Sequence, residues 1–254
     1  MDKRDFWATL PGMLTGVAAI LSALTGVYLA VRSDNSATTQ PASEVVPQPS
    51  GGTRDPAVRT IASISEWPVG ASETFSDAAA PWPRGNFPEG ALTRFELSVS
   101  AGTYRWDIET QNALSKSINA PFGFVKDFFA SVDVVVRQHS VEPIDIGLIF
   151  GAAEGSDFRL LLKSPGSVGV SRAKGTAVND LLVNWSPTGA PLNQRNKVAV
   201  LVDGGRMSFY VNDKEIANHR DERYAGGNLG LSVGLYSAGA AIIEFDNFEL
   251  RRRP

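Results

Sequence analysis

Three carboxylates near the end of the 254-residue chain, Glu244, Asp246 and Glu249 in IIEFDNFEL, fall in an E-x-D-x-x-E spacing. Two carboxyl groups about 5 to 5.5 Å apart can divide the roles of nucleophile and general acid in retaining glycoside hydrolysis, provided they flank a sugar held in a groove. Ile243 and Phe245 alternate with Glu244 and Asp246, yet Phe248 and Leu250 also need burial. The step of three from Phe245 to Phe248 therefore requires a bulge near Asp246 and Asn247. Such a bulge sets the three carboxylates on one outward face, but no aromatic residue of this strand faces outward with them to build a groove. The expectation is a structural closing strand, with catalysis by Glu244, Asp246 and Glu249 as the reading it displaces.

Other residues offer different chemistry. Hard oxygen ligands at an irregular backbone suit calcium, so Asp246, with Asn247 at the bulge and Glu73 or Asp77 on the pairing strand, forms a candidate structural calcium site. No other cofactor is expected. Trp185 and Tyr236 are candidate platforms for stacking a sugar, whereas Trp106 shares an apolar face with Tyr104 and Ile108 and is read as core. The glycine-rich YAGGNLGLSVG is followed by no helix that would present amide donors to a phosphate, and is read as a turn entering a strand. Asn184, Trp185 and Ser186 form a glycosylation sequon, meaningful only in a eukaryotic secretory pathway.

Composition narrows the classes further. A net charge of -3 gives no general attraction to phosphate backbones, so nucleic acid is not an expected partner. The absence of cysteine removes thiol catalysis, cysteine-ligated zinc and disulfides together. His139 and His219 are the only histidines, too few for a histidine-rich metal centre.

The elements that must position these residues change in texture along the chain. Residues 8–31, ATLPGMLTGVAAILSALTGVYLAV, carry no charge. As a helix they would run about 36 Å, enough to cross a hydrocarbon layer of about 30 Å. They read as a single-pass anchor, with a cleaved signal peptide as the alternative. Lys3 and Arg4 ahead of the span favour an inside N-terminus and an extracytoplasmic C-terminal domain. Gly12, Gly16, Ala19, Ala23, Gly26 and Ala30 form a small-residue stripe on which two such helices could self-associate. Residues 33–70 are rich in Ser, Thr, Pro and Gly and read as a flexible linker.

Residues 71–254 alternate apolar and polar positions between Gly, Asn, Asp and Pro turns, the pattern of an all-β sandwich. Phe95, Leu97 and Val99 lead through a SAGT turn to Tyr104, Trp106 and Ile108, which predicts a hairpin. Alternation recurs from Phe128 to Val136, Ile144 to Phe150 and Phe158 to Leu162. In NKVAVLVDGGRMSFYVNDKEIA, the DGG and ND turn signals divide a three-strand meander whose last strand ends at Ile216. Leu229 to Leu235 and the closing IIEFDNFEL bring the count to eleven or twelve strands, without a helix in this domain. Two stacked antiparallel sheets fit best.

The order TFSD, GTYRWDIE, GLIF, DFRLLLK, NKVAVLVDGGRMSFYVNDKEIA, GGNLGLSVG and EFDNFEL resembles the concanavalin A-like lectin/glucanase sandwich, and more narrowly laminin-G-like modules and 3-keto-disaccharide hydrolase domains. The resemblance spans roughly residues 73–252. It implies a jelly-roll, and it implies that the last strand pairs with the first, near TFSD, on the sheet opposite a sugar-binding cleft. The E-x-D-x-x-E spacing is also that of laminarinase-type glycosidases. The expectation is a membrane-anchored, extracytoplasmic module that binds a glycan or another surface component. A glycoside-active enzyme is the first alternative, and a structural or protein-contact module the second.

Overall fold

The computed structural model describes residues 61–77, 80–87, 93–174 and 177–254. The span expected over residues 8–31 lies outside them, and among the described residues no helix is long and apolar enough to cross a membrane.

A short helix, α1 (Ile61–Ile64), precedes the strands. One antiparallel sheet contains β1 (Val69–Glu73), β2 (Gly85–Asn86), β3 (Thr93–Ser100), β4 (Thr103–Thr110), β6 (Phe128–His139), β11 (Asn196–Asp203), β12 (Arg206–Val211), β13 (Lys214–Arg220) and β15 (Gly239–Arg252). The other contains β5 (Leu114–Asn119), β7 (Ile144–Ala153), β8 (Ser156–Lys163), β9 (Ser167–Lys174), β10 (Ala177–Pro187) and β14 (Asn228–Leu235). The nine-stranded sheet runs β13-β12-β11-β6-β15-β4-β3-β2, and β1 joins β15 beyond its bulge. The six-stranded sheet runs β10-β9-β8-β7-β14-β5.

Period-two patterning explains the stacking. Phe95, Trp106, Phe245 and Val200 point inward from the larger sheet, and Ile146, Leu148, Leu160 and Val233 from the smaller one, all within one buried cluster. Phe150 of β7 meets Phe128 and Phe209 of the facing sheet at ring-centroid distances of 6.5 and 6.2 Å. Trp106 is fully buried between Phe95 and Phe245, at 5.2 and 5.0 Å, so it is a core residue as its apolar face predicts. The expected hairpin and the three-strand meander are present, with Asn212 and Asp213 both at positive φ in the ND turn, as a tight hairpin of this handedness requires.

Three features depart from expectation. The linker predicted to reach residue 70 is interrupted earlier. Ile64 and Trp67 bury against Phe129, Ala199, Leu201 and Tyr210 on the outer face of the larger sheet, and Arg251 donates to the carbonyls of Ser65 and Trp67. Two large apolar side chains three residues apart supply the burial that holds this stretch against the sheet. The meander's last strand continues to Arg220 rather than ending at Ile216, because pairing with β12 resumes after a bulge. Finally, β5, β9 and β10 raise the number of strands among the described residues to fifteen.

Candidate functional site

The E-x-D-x-x-E carboxylates lie where the closing strand places them. β15 bulges between Asp246 and Glu249, with Asn247 at a φ of 48°, and Glu244, Asp246 and Glu249 all lie on the outer face of the nine-stranded sheet. Each is held by an arginine. Arg137 Nε donates to Glu244 Oε2 at 2.7 Å, Arg195 Nη1 to Asp246 Oδ2 at 2.5 Å, and Arg251 Nε lies 2.5 Å from Glu249 Oε1. Arg195 also reaches Asp133, whose carboxylate accepts from Asn247 Nδ2 at 2.8 Å, so the bulge is tied to its neighbouring strand. The contacts of Arg137 and Asp133 stitch β15 to β6 across the sheet, while Arg251 and Glu249 pair within β15. Glu73 accepts from the Phe75 amide, Asp77 is exposed after β1, and among the described residues no cluster of His, Asp or Glu forms a metal site.

Trp185 and Tyr236, by contrast, converge. They come from β10 and from the turn after β14, opposite sides of the six-stranded sheet, and line one cavity of about 430 Å³ on its outer face. Small residues make room for them. Inward positions on β7, β9 and β14 are large and apolar, whereas outward positions carry Gly147, Gly169, Ser171, Gly230, Ser232 and Gly234. A Cβ on Gly169 would lie only 2.8 Å from the Trp185 ring, so a glycine there lets the indole lie against the backbone. At Gly234 a Cβ would strike the Asp145 carboxylate.

Asp145 is the outward residue of β7, yet it is only 5% exposed. The Tyr236 hydroxyl donates to its Oδ2 at 2.6 Å, and Lys163 sits opposite it on β8. Burial raises the Asp145 carboxyl to about 6, against the opposing pull of the Tyr236 hydrogen bond, Lys163, Arg159 and the Gly234 amide. Burial likewise pushes the Tyr236 hydroxyl upward, so it remains a proton donor to Asp145 at neutral pH. The residue as a whole stays 47% exposed. Its tip is anchored while its body remains wet, the condition for a preorganised stacking surface.

Arg159 joins this cavity to a second. It is 6% exposed, is held by both oxygens of Asp157 at 2.6 and 3.2 Å, and donates through Nη1 to Ser115 at 3.2 Å. Ser115 and Arg159 also line a neighbouring cavity of about 490 Å³, where Ser117, Asn119 and Asn228 add hydroxyl and amide groups. The result is a groove across the smaller sheet with aromatic residues at one end and hydrogen-bonding side chains at the other. The two aromatics singled out in the sequence are brought together here, and Asp145, Lys163 and Arg159, which it did not single out, lie beside them. The available signal was glycine at outward strand positions, which marks close approach of another group.

No protein-family model and no curated protein matches the sequence. Solved structures do match in fold. A galectin-like protein of unknown function from Bacillus subtilis is 11% identical, covering 73% of this chain and 97% of its own, with a TM-score of 0.51. The catalytic domain of an endo-1,3-beta-glucanase (laminarinase) from Thermotoga petrophila is 10% identical over the same shares, with a TM-score of 0.50. A kappa-carrageenase from Zobellia galactanivorans is 12% identical, covering 74% and 96%, with a TM-score of 0.52. The described domain therefore has the two-sheet sandwich fold of these proteins, and at such identities the likeness extends to fold alone.

Proposed function

We propose that the domain is a glycan-binding module whose site is the groove on the outer face of the six-stranded sheet. The observation that carries this reading is the convergence of Trp185 and Tyr236 on one cavity, beside a second rich in hydroxyl and amide groups. Sugars present apolar C–H faces and a fringe of hydroxyls, and the two ends of the groove offer an aromatic surface and hydrogen-bonding partners to match. The sandwich fold, shared with a laminarinase and a carrageenase, supports the reading as an analogy of scaffold.

In the test, the full chain in mild detergent is passed over immobilised glycans, and released reducing ends are assayed in parallel. Retention should fall about tenfold or more in Trp185→Ala, because loss of a ring platform costs a large part of a small site's binding energy. The double variant Glu244→Gln, Glu249→Gln should bind as the parent does, because both carboxylates lie on the outer face of the other sheet. Unchanged retention in Trp185→Ala would remove the groove from consideration.

A specific observation also favours an enzymatic second reading. Asp145, raised to about 6 in a groove, has the character of a general acid. Asp157, the other carboxylate of this network, is engaged by two nitrogens of Arg159. Release of reducing ends that disappears in Asp145→Asn would establish hydrolysis, and would place it at this groove rather than on β15.

We further propose that residues 8–31 anchor the module in a membrane, with the domain displayed outside the cytoplasm. The uncharged span and the polar segment after it support this arrangement. The full chain should sediment with membranes and resist carbonate extraction. Recovery of a soluble product shortened by about thirty residues would instead identify a cleaved signal.

A further inference from the structure

We propose that the groove selects a negatively charged glycan, with a carboxylate or sulfate group of the sugar held by Lys163; this rests on the glycan-binding reading and deepens it. Lys163 is the last residue of β8. Its Nζ lies 4.2 Å from the centroid of the Tyr236 ring and 4.7 Å from that of Trp185, so one ammonium bridges the two aromatic residues of the site. The ring quadrupoles hold the cation in place and strip part of its hydration, but they do not satisfy three N–H donors directionally.

A counter-ion inside the protein is the obvious alternative, and Asp145 stands opposite Lys163 in the strand register. It is turned elsewhere. Its carboxylate accepts from the Tyr236 hydroxyl and the Gly234 amide, and it feels the Lys163 charge through space without a close salt bridge to it among the described residues. Several other cations of the domain are paired at close range: Arg137 with Glu244, Arg195 with Asp246, Lys197 with Asp213 and Arg253 with Asp203. In the groove itself, Arg159 is neutralised by Asp157. Lys163 is thus a positioned charge with hydrogen-bonding capacity left over, in contact with both rings that line the cavity.

Charge on the whole chain sharpens the argument. At a net charge of -3, the protein has no overall attraction for polyanions, so retention of an acidic glycan would have to come from a local site. A carboxylate and a sulfate ester present the same chemistry to an ammonium, a compact anion with several acceptor oxygens.

The experiment measures affinity of the full chain, kept in mild detergent, for three sets of oligosaccharides at fixed ionic strength. These are neutral β-1,3-glucan oligomers, uronate oligomers from polygalacturonate and alginate, and sulfated oligomers from carrageenan and chondroitin sulfate. One acidic set should bind at least about tenfold more tightly than the neutral set, as expected for a charge-assisted contact. Whether it is the uronates or the sulfates identifies the anion. Lys163→Gln should erase that preference, with its far-UV circular dichroism and thermal unfolding transition showing that the variant is folded. Lys163→Arg should restore most of it. Equal binding of acidic and neutral sets, or a preference that survives Lys163→Gln, overturns the proposal. If neutral glycans are bound through Trp185 and acidic ones are not, this inference fails while the glycan-binding reading stands. If no set is bound, both fail.

Discussion

Shortened to end at Gly239, the chain should lose its cooperative unfolding transition altogether. β15 is not a peripheral strand. It lies between β6 and β4 along its first half and between β6 and β1 after the bulge, so its removal splits the nine-stranded sheet into β13-β12-β11-β6 and β4-β3-β2 with no ladder between them, and leaves β1 without a partner strand. It also withdraws Ile243, Phe245, Phe248 and Leu250 from the core, all fully buried. Burying each such side chain contributes about 1.5 to 3 kcal/mol, and four of them together rival a typical domain stability of about 5 to 15 kcal/mol. The remaining pieces would also expose unpaired strand edges, which promote aggregation. Differential scanning calorimetry decides the matter. A sharp endotherm near the parent temperature in the shortened chain would mean that the sheet closes without β15.

The same strand shows why much of this fold can be read directly from sequence. Phe245 and Phe248 are three apart, and a two-residue period forces either a solvent-exposed phenylalanine or a bulge; the bulge occurs at Asp246 and Asn247. Long alternations such as Phe95 to Val99 and Phe128 to Val136 are equally decisive, because one face must be buried. Legibility fails where the alternation is weak. In β9 it rests on Val168 and Val170, with Gly169 and Ser171 between and after them. The edge strand β10 changes register three times against β9, so no single period runs through it. β5 offers Leu114 and Ile118 around Lys116, too little contrast to mark a strand.

The site was harder to read than the fold for a related reason. Asp145 sits between Ile144 and Ile146, where alternation assigns it to solvent, and the outward direction is correct. Its burial comes from Tyr236, which is 91 positions away in sequence, and from the backbone of Gly234. Local pattern reports which way a side chain points and is silent on what covers it. Lys163 and Arg159 are outward residues of β8 by the same rule, and only the strand order brings them beside Asp145 and the two aromatic rings. Trp185 and Tyr236 were legible as candidates because of their chemistry, and their meeting depended on β8, β9, β7 and β14 lying between them in the sheet.

The buried carboxyl at the centre of this network has a consequence for stability that runs opposite to the usual behaviour of aspartates. Folding raises Asp145 from an ordinary value of 3.8 to about 6, with loss of hydration as the dominant cause. Between those two values the folded chain holds the proton that the unfolded chain has released, so stability falls as pH rises through this window. The favourable contribution of the protonated form is fully present below about pH 4 and is gone above about pH 6 to 7. A tenfold change in proton affinity is worth about 1.4 kcal/mol, which makes the whole contribution on the order of 3 kcal/mol, a sizeable share of a typical domain's stability. Lys163, Arg159 and the Tyr236 hydroxyl all favour the ionised form, so the net direction already contains their pull. Asp145→Asn keeps the size of the side chain and an acceptor for Tyr236 but cannot ionise. Urea unfolding of parent and variant at pH 4.0, 5.0, 6.0 and 7.5 should therefore give stability curves that converge in slope outside the window. Inside it the parent should lose about 3 kcal/mol relative to the variant. Parallel curves across the whole range would show that Asp145 is solvated in the folded protein, and that the groove is open to water beneath Tyr236.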